Sequence, residues 1–273
     1  MIKRLVRAGL DKGGLIASVY DARARVGYML DRETREANER FLASGSPDGL
    51  PMPSPALVYR VAGHFNLQWF YESGVEHAEL IRSTLAANGI DVEAAASLLD
   101  FGCGCGRVVR HWSRLDGTAI HGSDYNGDLI EWCRGALPFA TFTINALEPP
   151  LPYEQETFDL VYAISVFTHL TEDLQHRWMR ELERILAPGG TLLVTTKGRS
   201  RLAALTPEEL ARFERGELVV QEAGYAGKNL CAAFHPETYV RERLAGELDV
   251  VAFVPVEPGG SQTQDVFVLR RPR

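Results

Sequence analysis

Between residues 96 and 196, five short and almost uninterrupted apolar runs alternate with segments of helical pattern. The runs are ASLLDF (96–101), TAIHGSD (118–124), FATFTI (139–144), FDLVYAI (158–164) and TLLVTT (191–196). A strand that is apolar at nearly every position needs cover on both faces. The intervening helices supply that cover and the crossovers that parallel neighbours require. The clearest helix reads TEDLQHRWMRELERILA. Leu174, Trp178, Leu182 and Ile185 form its buried stripe, Glu172 and Asp173 sit at its positive end, and Pro188-Gly189-Gly190 stops it. VVAFVPV (250–256) and QDVFVLR (264–270), separated by EPGGS, read as an antiparallel hairpin. The fold class is therefore α/β, on a mostly parallel sheet with an antiparallel end.

Upstream the text is helical. Residues 1–43 scatter Val26, Met29, Leu30, Ala37, Phe41 and Leu42 among charged residues, as one or two amphipathic helices would. SGSPDGLPMPSP (44–55) is too rich in Gly and Pro for helix or sheet, and reads as a linker or a draped loop. Val58, Ala62, Phe65 and Trp69 then share one helical face, and a second helix follows through Ala78, Ile81 and Leu85. The aromatic group Phe65, Trp69, Phe70 and Tyr71 suits packing onto the next domain or a lid over a ligand site. The expected division is an extension and linker (1–55) followed by one domain (56–273). Within that domain lie lid-like helices (56–90), a binding core (96–197), and an insert with terminal strands (198–273).

The first strand ends in Asp100 and Phe101 and runs into Gly102, Gly104 and Gly106, with a helix expected over Val108, Val109, Trp112 and Leu115. Such a turn lets backbone approach a ligand, and a helix N-terminus after it presents unpaired N–H groups. Asp124 closes the second strand, where a carboxylate can accept both hydroxyls of a ribose. Asp100 beside the turn would repel a pyrophosphate and suits a cationic ligand. Cys103 and Cys105 supply only two thiolates where a structural zinc needs four ligands, and Cys133 and His111 stand at no ligand spacing. They read as small fillers of a crowded turn, and no metal is expected.

In this setting the sequence resembles the class I S-adenosylmethionine-dependent methyltransferases. LLDFGCGCG looks like their first motif, GSD with Asp124 like their acidic second strand end, FDLVYAISVFTHL like their fourth-strand motif, and ERILAPGGTLLVTT like the helix, turn and fifth strand that follow. The resemblance covers roughly residues 96–197, and the terminal hairpin is similar to the family's sixth and seventh strands. It implies a three-layer Rossmann-like sheet, S-adenosyl-L-methionine as cofactor and S-adenosyl-L-homocysteine as product. Asp100 is then expected at the cofactor's α-amino end, and Gly102, Cys103 and Gly104 along its methionine and ribose part. Asp124 would bind the ribose hydroxyls, Tyr125 would flank the adenine, and Asn145 and Ala146 would meet the adenine amino edge. Ser165 and Val166 would line the methionine arm. Family members often carry Asp where this chain has Asn145.

Methyl transfer mainly needs alignment and exclusion of water, and a hydroxyl acceptor benefits from a nearby base. His169, in the loop after the fourth strand, leads the base candidates, and His235, before Pro236, is second. The resemblance suggests a bacterial enzyme modifying sugars or secondary metabolites, so the acceptor is expected to be a small molecule or glycan, methylated at a hydroxyl. The alternatives are an NAD(P)-dependent oxidoreductase, which shares the glycine turn and the ribose carboxylate, and a non-catalytic cofactor-binding module. The formal charge of -7 weighs against nucleic acid as main partner. The start of the chain has neither a sustained apolar stretch nor a cleavage site, no window is long enough to span a membrane, and four cysteines make no disulfide framework. A cytoplasmic location is expected.

Overall fold

A computed structural model describes residues 15–257 and 262–273. The chain divides into two compact units, Met1–Glu72 and Ser73–Arg273, and the division falls inside a helix rather than at the Gly- and Pro-rich stretch.

In the first unit, helices α1 (Leu15–Leu30) and α2 (Arg32–Ser44) meet at Asp31, which caps α2 by accepting from the Thr34 N–H. Val26, Met29, Leu30 and Leu42 are exposed rather than buried as an apolar stripe. The single helical face expected through Val58, Ala62, Phe65 and Trp69 is broken. Helix α3 (Pro55–Ala62) stops at Gly63, and α4 (Leu67–Ala87) starts anew, with the Asn66 side chain accepting from the Trp69 N–H. Phe65 sits in the break, stacked between Tyr28 and Tyr59 at centroid separations of 4.5 and 4.6 Å. Buried Asn38 fixes this turn: its Nδ2 donates to Phe65 O (2.8 Å) and its Oδ1 accepts from the Leu67 N–H (2.9 Å). A buried amide with its main groups paired costs little and specifies the turn geometry that periodicity alone could not reveal.

The second unit holds the sheet. Its strands are β1 (Ser97–Phe101), β2 (Ala119–Asp124), β3 (Thr141–Ile144), β4 (Phe158–Ala163), β5 (Leu186–Thr196), β8 (Asp249–Val254) and β9 (Asp265–Arg270), with a separate pair, β6 (Val219–Gln221) and β7 (Ala232–Phe234). The sheet order is β3-β2-β1-β4-β5-β9-β8, parallel as far as β5, with β9 inserted antiparallel between β5 and β8. The chain reverses direction across the sheet at β1 and β4, so the C-terminal ends of these strands open a crevice. Helix α5 (Gly127–Ala136) packs beside β2 and β3. Helix α6 (Glu172–Ile185) buries Leu174, Trp178, Leu182 and Ile185 as the periodicity predicts. Trp178 lies against Phe101 (4.6 Å between centroids) and donates from Nε1 to Leu147 O (3.0 Å).

Two elements differ from expectation. Helix α6 ends at Ile185, because Leu186 already pairs with Phe158 at the start of β5. No long helix follows the glycine turn: Val109–Trp112 form a single 3-10 turn, with His111 N–H donating to Val108 O. Helix α4 passes close to this segment. A methyl at Gly74 would overlap Arg107 O. The insert carries a helix, α7 (Pro207–Glu214), with a Thr206/Glu209 capping box, ahead of β6 and β7. The turn joining β8 and β9, EPGGS, lies largely outside the described residues.

Candidate active site

The glycine turn, the end of β2 and the loop after β4 meet at the C-terminal edge of the sheet. Gly102, at φ +78°, adopts a backbone that side chains resist, and a methyl group there would overlap Val166 Cγ2. Val166 is thereby placed against the turn. Ser165 beside it has φ 61° and is held there by a ring of three hydrogen bonds. Its N–H donates to Thr195 Oγ1 (2.8 Å), Thr195 Oγ1 donates to Gln264 Oε1 (2.6 Å), and Gln264 Nε2 donates to Ser165 Oγ (2.7 Å). Gln264, on the approach to β9, carried no sequence signal.

Most of the N–H groups that the turn was expected to leave free are engaged within the protein. Gly102 and Cys103 both donate to Ser123 O (2.8 and 3.0 Å), Gly104 donates to Asp124 Oδ2 (2.9 Å), and Gly106 donates to Cys103 O (3.0 Å). Asp124, 8% exposed, also accepts the Asn126 N–H at Oδ1 (2.8 Å). It therefore locks the second strand end onto the turn while keeping a second lone pair on each oxygen for hydroxyl donors. Burial raises its pKa above the usual carboxylate range, against the opposing pull of the Asn126, Gly104 and Tyr125 N–H groups.

Asp100 is 2% exposed, and its Oδ2 has no hydrogen-bond partner. Burial pushes its pKa up to about 7. Tyr162 and half-buried Arg107 oppose the rise and Asp124 adds to it. Arg107, another residue the sequence left unmarked, donates to Ser73 O (3.0 Å) at α4. A turn most of whose donors are engaged, beside a carboxylate with a vacant acceptor, suits a cation and not a phosphate. Asn145 lies next to Asp124, its N–H on Asp124 O (3.1 Å). Its Nδ2 is engaged by Ala146 O (2.7 Å), leaving buried Oδ1 as a free acceptor of the kind an adenine amino group needs. These donor and acceptor sets fit S-adenosylmethionine.

Tyr125 is 43% exposed, and its hydroxyl donates to Gly227 O (2.6 Å). The Gly227 N–H in turn donates to His169 O (2.7 Å). One peptide of the insert thus ties the end of β2 to the loop after β4. Gly227 has φ +80°, and a methyl there would come within 2.6 Å of Leu147 Cδ1.

His169 sits in the 3-10 turn Phe167–His169, half-buried, with Nδ1 2.7 Å from Cys231 O. A carbonyl only accepts, so Nδ1 carries the proton and Nε2 the lone pair. Burial lowers its pKa to about 4, helped by Lys197. His235 is placed differently. It is 1% exposed, its Nε2 lies 3.0 Å from Gln175 Oε1, and burial lowers its pKa to about 3. Gln175 Nε2 donates to Phe167 O and Leu170 O, so His235 braces the turn that carries His169 instead of facing a crevice. Cys103, Cys105 and Cys133 are free and buried, with Cys103 and Cys133 Sγ each 3.6 Å from Gly104 O. Among the described residues no group of three or more His, Cys, Asp or Glu side chains could hold a metal ion.

Residues 99–194 match the methyltransferase domain family. Those residues are thus similar to a methyltransferase domain, set in a sheet of the class I methyltransferase fold. The chain is 31% identical over 111 residues to methyltransferase GfsG of Streptomyces halstedii, covering 38% of this chain and 39% of that protein. It is also 31% identical over 107 residues to a probable tRNA methyltransferase 9B of Mus musculus, covering 38% of this chain and 22% of that protein. The chain thus spans less than half the length of either relative. An S-adenosylmethionine-dependent methyltransferase from Mesorhizobium loti shares the fold, with a TM-score of 0.53 at 18% identity over 71% of this chain and 98% of that one. S-adenosylmethionine is the cofactor that family and fold imply. No helix among the described residues is long and apolar enough to cross a membrane.

Proposed function

We propose that this methyltransferase transfers the methyl group of S-adenosylmethionine to a hydroxyl of a small molecule or glycan. The observation that carries the reading is the pairing of a glycine turn, most of whose N–H groups are engaged within the protein, with the unpartnered Oδ2 of Asp100. That pairing disfavours a dinucleotide and, with it, the oxidoreductase alternative. Asp100 would hold the α-ammonium, Asp124 the ribose hydroxyls, and Asn145 Oδ1 the adenine amino group, with Tyr125 and Ala146 beside the base. When bound, the cofactor supplies an electrophilic methyl on a sulfonium sulfur.

The chain's own contribution is to orient the acceptor, exclude water and take a proton. Methyl transfer would leave the acceptor oxygen with a proton to lose. The hydroxyl proton passes to His169 Nε2. A base whose pKa is only about 4 is adequate, because an alcohol oxygen becomes strongly acidic as it gains a third bond partner. The Cys231 carbonyl holds the ring in the one tautomer that can accept there. The acidic net charge of -7 supports a small acceptor over tRNA, and four free buried cysteines support a cytoplasmic setting.

Calorimetric titration with S-adenosylmethionine, S-adenosylhomocysteine and NAD tests the cofactor. Binding of NAD alone would overturn the reading. Transfer of labelled methyl to a panel of hydroxylated small molecules and to tRNA tests the acceptor, and labelling of tRNA alone would remove the small-molecule assignment.

A further inference from the structure

We propose that the acceptor carries an anionic group, a carboxylate or phosphate, held by Lys197; this rests on the methyl-transfer reading above. Lys197 follows the last residue of β5. Its carbonyl accepts the His235 N–H (2.8 Å), and its Nζ stands 6.0 Å from the Phe234 ring. Lys197 bridges Phe234 at the end of β7, and β7 follows directly on Cys231, whose carbonyl holds His169 Nδ1 (2.7 Å). Lys197 also acts electrostatically on His169. Its ammonium therefore shares the neighbourhood of the proposed base.

The ammonium is half-buried, and no carboxylate among the described residues pairs with it. Arg201, of like sign, acts on it, with Nε reaching Thr263 O (3.3 Å), and the Cys231 thiol acts weakly in the opposite direction. Several other cations come with anions: Arg177 with Glu148, Arg184 with Glu181, Arg199 with Glu214. Withdrawing a charge from water without a partner is unfavourable, and setting a second cation beside it adds repulsion. Burial and Arg201 accordingly pull the lysine below its usual range. An acceptor with a negative group relieves both costs at once, and its hydroxyl then lies within the surroundings of His169 Nε2. Neutral analogues of the same shape leave the cation unpaired and bind more weakly.

The chain has only four lysines, Lys3, Lys12, Lys197 and Lys228, so protein labelled with 13C-lysine gives a readable spectrum. Acetate, inorganic phosphate and chloride are titrated at constant ionic strength, with Lys197→Met identifying the Lys197 signal. A saturable shift of that signal with acetate supports a carboxylate acceptor, and one with phosphate a phosphorylated acceptor. A Lys197 signal that follows chloride equally, or moves no more than that of Lys228, overturns the proposal. In parallel, Lys197→Met should keep its S-adenosylhomocysteine affinity within about twofold. Failure of the wild type to bind S-adenosylhomocysteine would sink the methyl-transfer reading while leaving the anion titration interpretable. Once an acceptor is in hand, Lys197→Met should raise KM for the anionic form by about tenfold or more and leave that for its neutral amide or ester unchanged.

Discussion

Cofactor affinity should depend on pH through Asp100, and the sign follows from its surroundings. Burial raises the folded-state pKa of this carboxyl to about 7. It therefore holds its proton in acid and is ionised only above that value. A ligand ammonium prefers the ionised form, so affinity should be full at alkaline pH and fall as pH drops through 7. With the pKa at about 7, about nine-tenths of the free protein is ionised at pH 8 and about one-tenth at pH 6. That ratio predicts about a tenfold loss of affinity, or about 1.4 kcal/mol. His77, His169 and His235, with pKa values of about 4, about 4 and about 3, stay neutral across this window and do not contribute. The assay is calorimetric titration with S-adenosylhomocysteine, which keeps the α-ammonium and lacks the sulfonium charge, at several pH values between 6 and 8. Asp100→Asn should bind more weakly at pH 8 and lose the slope. A flat wild-type profile, or an equally steep one in folded Asp100→Asn, would refute the placement of the ammonium at Asp100.

Three further outcomes follow from the same geometry. Gly102→Ala combines a left-handed backbone with overlap on Val166, and should lower unfolding free energy by about 2–4 kcal/mol in denaturant melts. Asp124→Ala removes the acceptor of the Gly104 and Asn126 N–H groups, so it should cost about 1–3 kcal/mol of stability and weaken cofactor binding as well; unchanged affinity in the folded variant would place the ribose elsewhere. His169→Gln should cut kcat by about 100-fold or more with little change in cofactor affinity, and unchanged turnover would remove the histidine from proton transfer.

The strands, their parallel order and the stripe of α6 were legible because each is written in a periodicity that burial enforces locally. Trp178 and Leu182 had to face the sheet whatever else the chain did. The break at Phe65 was not legible, since its face agrees with helical spacing and only the distant Asn38, Tyr28 and Tyr59 show that it sits in a turn. Nor does local pattern show that Gly74 approaches the segment after Gly106, where the expected helix is absent: that is a tertiary fact about another segment. Within the site, Asp100, Asp124 and Asn145 came from motif order. That Asp124 consumes the Gly104 N–H, and that His235 is sealed against Gln175, depended on long-range pairs that no local pattern encodes. Lys197 was invisible because a lone lysine after a strand reads as a solvated end. Its significance lies in the carboxylate that is missing around it.

The Gly227 peptide bears on how such an enzyme could be re-engineered. Because its carbonyl and its N–H clamp Tyr125 and His169 separately, the insert is not an interchangeable cassette mounted on a fixed scaffold. Grafting a loop from another enzyme to change what is methylated would unfasten the flank of the nucleoside at the same stroke. A graft has to keep glycine at 227 with its two bonds, together with the Cys231 carbonyl on His169 and His235 on Gln175.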